Sequence, residues 1–167
     1  MLGGMEEPRW LSPAELKAWM TFVAATTLLD GALDRQLQRD SGMPHAYYLI
    51  LAMLSDAPDH TLRMSELASA TQSSQSRLSH AVTRLERQGW VSRRPCPDDR
   101  RSTFATLTEQ GLAALREAAP GHVETVRDNL FDALTPEQVG QLEAICGAML
   151  ARLRRDPDAI PIPGTCP

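Results

Sequence analysis

The stretch from Met64 to Thr108 constrains this chain more than any other. Its hydrophobic spacing and turn residues predict a short helix, a tight turn, a second helix and two short strands. The first helix is Met64–Ala70 (MSELASA), and Thr71-Gln72-Ser73 is the turn. The second helix is predicted from about Ser74 to Gln88, closed by Gly89. The strands are expected at about Trp90–Arg94 and Thr103–Leu107, around the loop Pro95-Cys96-Pro97-Asp98-Asp99-Arg100-Arg101. Leu67 and Ala68 give the first helix its apolar surface, and Leu78, Val82 and Leu85 give the second an i, i+4, i+7 stripe. Two short amphipathic helices joined by a tight turn make a helix-turn-helix, here followed by a wing.

The face of the second helix opposite that stripe carries the chemistry. At 100° per residue, Ser76, His80, Thr83 and Arg87 point away from the stripe, and Arg77, Ser79 and Arg84 flank it. Ser74 and Gln75 open the helix, and Glu86 is its only acid. Short hydrogen-bonding groups and cations can read base edges in a major groove and hold phosphates. An ordinary solvated helix would mix both charge signs on that face. In the wing, Pro95 and Pro97 stiffen the approach, and Asp99 stands two residues before Arg101, where a carboxylate can orient a guanidinium. Arg100 and Arg101 at a narrow tip suit a minor groove, whose narrow A·T tracts concentrate negative potential. The alternative for the wing alone is a salt-bridged surface hairpin.

Taken together, the run SELASATQSSQSRLSHAVTRLERQGWVSRRPCPDDRRSTFATLTEQG resembles the winged helix-turn-helix core of the MarR family of bacterial transcription regulators. The matching features are SELA, the R-L-E-x-x-G-W-V passage into the wing, Asp99 and Arg101 at the tip, and L-T-x-x-G at Leu107–Gly111. The resemblance extends from about Leu16 to Leu153. It implies a dimeric, ligand-responsive repressor. Family members bind small aromatic or anionic effectors in a crevice between a dimerisation arm and the DNA-reading module. Here that crevice would be lined by Trp19, Phe22, Thr26, His45 and Tyr48, with Met43 nearby. Each of these residues also has an ordinary reading as core. Some members sense oxidants through a cysteine near the start of the first helix, and this chain has none there.

The remaining segments are read from their caps and periodicities. Ser12-Pro13-Ala14-Glu15 is a helix start with an N-cap, a proline at the first position and a capping-box acid. The helix after it, to about Arg39, is apolar on more than one face, as expected for burial partly against another chain. Gly31 within it would permit close packing. A second helix from Pro44 to about Asp56 is apolar nearly all round and belongs at the centre. Thr61-Leu62-Arg63 can add a third strand beside the wing. Thr108 starts a long helix with the stripe Leu112, Leu115, Ala119, Val123, Val126, Leu130 and Leu134, in which Pro120-Gly121 should make a kink. Thr135-Pro136-Glu137-Gln138 starts the last helix, which should end near Arg155.

The expected fold is therefore mainly α with a small β-wing. Residues 43–108 form the winged helix-turn-helix, 12–42 and 109–155 a helical dimerisation region, and 1–11 and 156–167 flexible tails. The apolar stripes of the terminal helices imply a homodimer.

Charge supports the same reading. The net charge is −4, yet Arg63–Arg101 holds eight basic and four acidic residues, against nine basic and seventeen acidic elsewhere. Basic charge is thus concentrated where double-stranded DNA would lie. A non-specific or architectural nucleic-acid binder without an effector is the alternative, and it would be expected to carry a basic excess throughout. Nothing in the sequence suggests an enzyme, cofactor or metal site: the histidines at 45, 60, 80 and 122 are scattered, and Cys96, Cys146 and Cys166 are too far apart for a CxxC pair. Cys96 is the one thiol to test for redox effects. The absence of a signal-like start or a long apolar run suggests a cytoplasmic protein without membrane partners.

Overall fold

A computed structural model of the chain describes residues 8–96 and 102–153. Six helices and a three-stranded sheet follow in the order α1 (Pro13–Ser41), α2 (His45–Asp56), β1 (Thr61–Arg63), α3 (Met64–Ala70), α4 (Gln75–Arg87), β2 (Val91–Pro95), β3 (Thr103–Leu107), α5 (Glu109–Asn129) and α6 (Pro136–Leu153). Short 3-10 turns lie at Pro58–His60 and Phe131–Ala133.

The caps explain most of these boundaries. Ser12 and Glu15 form the expected capping box on α1, with Ser12 N–H donating to the Glu15 carboxylate at 2.7 Å. Gly42, at φ 63°, stops α1 in the left-handed region that glycine occupies without strain. Thr135 and Gln138 cap α6 reciprocally in the same way. Thr108 caps α5 and also donates its hydroxyl to the Gly89 carbonyl at 2.6 Å. That bond fastens the end of the wing to the end of α4. A Cβ at Gly111 would overlap the Trp90 carbonyl, so the L-T-x-x-G motif marks the crossing of α5 over this passage.

The core gathers around α2, as its all-round apolar sequence predicts. Tyr48, Ile50, Leu51 and Leu54 of α2 meet Leu37 from α1, Leu67 from α3, Leu78, Val82 and Leu85 from α4, Val91, Ala105 and Leu107 from the sheet, and Leu115 from α5. β3 is central in the antiparallel sheet, with β2 on one side and the predicted third strand, β1, on the other.

One expectation needs correction. The long helix ends at Asn129; Leu130 is its C-cap and Leu134 follows the 3-10 turn, so the stripe does not run on through them. The helix is continuous through Pro120, and Gly121 there makes close approach to α1 possible, since a Cβ would come within 2.9 Å of Gln36 Nε2. Within the chain a Cβ at Gly31 would meet only the flexible end of Arg35, at 3.1 Å.

Candidate nucleic-acid interface

The turn before α4 is fixed by backbone bonds. Thr71 N–H and hydroxyl both donate to Leu67 O, and Ser73 N–H donates to Ala68 O. Gln72 adopts a left-handed φ of 53° between them. Ser74 then caps α4, accepting from Arg77 N–H at 3.3 Å. Because Leu78, Val82 and Leu85 are fully buried, the rotation of α4 about its axis is set.

That rotation turns Ser74, Gln75, Ser76, Arg77, Ser79, His80 and Arg84 outward, all exposed. Thr83 is half-buried and donates its hydroxyl to Ser79 O at 2.8 Å, which leaves its oxygen lone pairs to accept. Among the described residues no carboxylate pairs with Arg77, Arg84 or Arg87. The one acid of the helix is turned aside. Glu86 Oε2 accepts from Arg93 Nε at 3.0 Å and Nη2 at 2.6 Å, tying β2 to α4. The Arg93 hydrogen bond holds the Glu86 carboxyl below the usual carboxylate range. The outward face therefore keeps its positive charge.

Between α4 and the sheet lies an open groove of about 410 Å³, lined by Arg63, Ser65, Gln75, Ser79, Arg93 and Thr103 among others. Arg63 and Arg93 enter this surface through strand pairing, which a reading of α4 alone misses. At the neck of the wing, Cys96 N–H donates to Ser102 O at 2.9 Å. The Cys96 side chain is buried, which argues against the exposed, reactive thiol expected of a redox sensor. Asp99, Arg100 and Arg101 lie outside the described residues.

The five effector-crevice candidates fall into two groups. His45 sits where α1, α2 and α5 meet: its Nδ1 is 2.9 Å from Asp30 Oδ1, and its N–H donates to Asp34 Oδ1 at 2.9 Å. Tyr48 is buried beside it, and the His122 ring lies 4.2 Å from Tyr48 and 5.5 Å from His45 between centroids. Burial, then the neighbouring His45, lower the pKa of His122. Met43 is buried in the core. Trp19, Phe22 and Thr26 are all exposed on the first half of α1, with Trp19 and Phe22 rings 6.4 Å apart. At 1.5 Å rise per residue, Trp19 lies roughly 16 Å along α1 from the Asp30 that holds His45. Within one chain Trp19 thus stands apart from the His45 group, whereas Thr26 lies one turn of α1 from Asp30. His122 was missed because sequence spacing gives no sign that α5 meets α2 there.

Comparison with known proteins agrees with this geometry. A family model described as the MarR family matches residues 41–102. The transcriptional repressor MprA of Escherichia coli K12 is 31% identical over 118 residues, which span 71% of this chain and 66% of that protein. The crystal structure of Sco3205, a MarR family transcriptional regulator from Streptomyces coelicolor solved in complex with DNA, is 49% identical. It superposes with a TM-score of 0.87 over 95% of this chain and 99% of that one. AbsC, a MarR family regulator from the same organism, is 41% identical with a TM-score of 0.83, over 89% and 100% of the two chains. With its fold, its outward-facing helix and these relatives in agreement, the chain belongs to the MarR family of transcriptional regulators.

Proposed function

We propose that the chain acts as a homodimeric repressor that binds a pseudo-palindromic DNA operator. The observation that carries this reading is the outward face of α4, with its exposed hydrogen-bonding groups and arginines free of carboxylate partners among the described residues. Residues 43–108 form the DNA-binding module, and 12–42 with 109–155 the dimerisation region. α4 enters the major groove with Ser74, Gln75, Ser76, Arg77, Ser79, His80, Thr83 and Arg84 at the bases and flanking phosphates. Asp99, Arg100 and Arg101, taken from the sequence alone, carry the wing into the minor groove. Two-fold symmetry places the two copies of α4 about 34–36 Å apart, in successive major grooves.

A small aromatic or anionic effector is proposed to act at the joint of α1, α2 and α5, around His45, Tyr48 and His122. This joint connects the module to the terminal helices, so a ligand there could bias their relative placement.

The test is selection from a random DNA pool by the purified protein, with competition measured at fixed salt. The expected product is an inverted repeat bound at least ~10³-fold more tightly than unrelated DNA. Equal affinity for all sequences would favour an architectural binder and overturn the reading.

A further inference from the structure

The outer face of the sheet carries one row that neither α4 nor the wing tip explains. Arg63 of β1 and Arg94 of β2 are both in register with Phe104 of β3. Directly paired residues of antiparallel strands project to the same face. β3 lies between the other two strands, so the arginines reach the ring from opposite sides. Their guanidinium carbons lie over the Phe104 ring, 5.3 Å and 5.1 Å from its centroid. Among the described residues neither cation has a carboxylate partner.

The next residue shows the contrast. Arg93 projects to the other face, and Glu86 neutralises it there. Two cations gathered on one ring repel each other, and cation–π attraction at a partly exposed site is weak. The arrangement is poorly suited to stabilising the fold and well suited to an anion that bridges both guanidinia. Its place in the fold says which anion. Arg63 also lines the groove beside Ser65, Gln75 and Ser79, next to the first turns of α4. Arg94 and Phe104 sit at the strand ends that lead into the wing loop. A duplex that meets both α4 and the wing must carry its backbone across the space between them.

We propose that Arg63 and Arg94 form a clamp for a backbone phosphate of bound DNA, between the segments met by α4 and the wing, with Phe104 as the positioning residue. The clamp rests on the DNA-binding reading above. The ring contact restrains each guanidinium, leaving N–H groups to donate to phosphate oxygens in a charge-assisted bond. The contact is to the backbone, so it raises affinity for every sequence and leaves base preference to α4.

The experiment measures affinity for the selected operator by fluorescence anisotropy across a range of salt concentrations. Arg63→Gln and Arg94→Gln should each weaken binding roughly fivefold at about 0.15 M salt and lower the slope of log affinity against log salt by part of the ~0.9 that one phosphate contributes. The double variant, which loses the one phosphate contact entirely, should lower the slope by about 0.9, with the ranking of operator sequences unchanged. Phe104→Leu should weaken binding severalfold with the slope kept, because both charges remain.

A second measurement guards against variants that fold poorly. Operators carrying one neutral methylphosphonate at successive positions are bound to the wild type and to Arg63→Lys/Arg94→Lys, which keeps the charge. One position on each half-site should weaken the wild type more than the lysine variant. A wild-type salt slope in the double glutamine variant, or no position at which the two proteins differ, would overturn the clamp. If Arg77→Ala still loses base preference in that case, the DNA-binding reading stands without it. A wild-type protein that selects no sequence would overturn both.

Discussion

At the scale of single residues, the positions that constrain this chain most are those where a side chain has no room or no partner. Gly111 is the first kind. A Cβ there would overlap the Trp90 carbonyl, which already accepts from Thr108 N–H at 3.0 Å. Gly111→Ala must push α5 away from the passage between α4 and the wing. The expected cost is about 1–3 kcal/mol in urea unfolding, as for other overpacked sites. A wild-type midpoint would mean that the crossing is looser than it looks. His122 is the second kind: its Nδ1 is buried without a hydrogen-bond partner among the described residues, and burial together with His45 lowers its pKa. The native state therefore binds a proton less readily than the unfolded chain. The stability conferred by a neutral His122 is fully present above its unfolded pKa of about 6.5 and is lost as pH falls through the lower folded value. Unfolding midpoints of the wild type should fall between about pH 7 and 5 more steeply than those of His122→Phe. Parallel pH profiles would show that His122 does not carry this dependence.

At the scale of elements, the proposed reading gives two arginines of α4 different tasks. Arg77 lies in the first turn, where a recognition helix meets base edges, and Arg84 lies two turns further on. Arg77→Ala should cost about 1–3 kcal/mol on the preferred operator and relax base preference, whereas Arg84→Ala should weaken all sequences alike. Binding to a panel of single-base operator variants checks this, and the reverse pattern would exchange the two roles. α4 was legible in the sequence because one periodic stripe, Leu78, Val82 and Leu85, fixes which face is buried and so which face is free. The capping boxes at Ser12 and Thr135 were legible for a similar reason: their partners lie three residues away. What depends on distant pairing was not. The row Arg63, Phe104 and Arg94 exists only because β3 lies between β1 and β2. His122 meets Tyr48 only because α5 crosses α2. The apolar spacing of α5 continues through Leu130 and Leu134, while the backbone leaves the helix at Asn129.

At the scale of the whole molecule, the apolar surface is divided in a way that a lone chain does not explain. The buried core runs from Leu33 to Ala118, while α6 buries no residue of its own. Trp10, Leu16, Trp19, Met20 and Leu28 near or on α1, and Ile145 and Leu153 on α6, remain at least half exposed. A concentration of large exposed apolar side chains marks an interaction site. A second copy of the chain is the proposed cover, and charge gives it a role in recognition. The excess of acid outside Arg63–Arg101 disfavours approach of DNA to the rest of the molecule, so each protomer offers one basic face. Linking two such faces makes the second half-site contact intramolecular, which can raise affinity by about 10²–10⁴-fold without any new contact. Trp19→Asp combined with Ile145→Asp places charge on both exposed faces and leaves the core untouched. The variant should sediment as a monomer or aggregate, keep its helical circular dichroism and lose operator affinity by about that factor. Its preference among single half-sites should survive, because α4 is unchanged. A dimer of unchanged mass would move the interface away from these faces, and a monomer with full operator affinity would remove two-fold linkage from the mechanism.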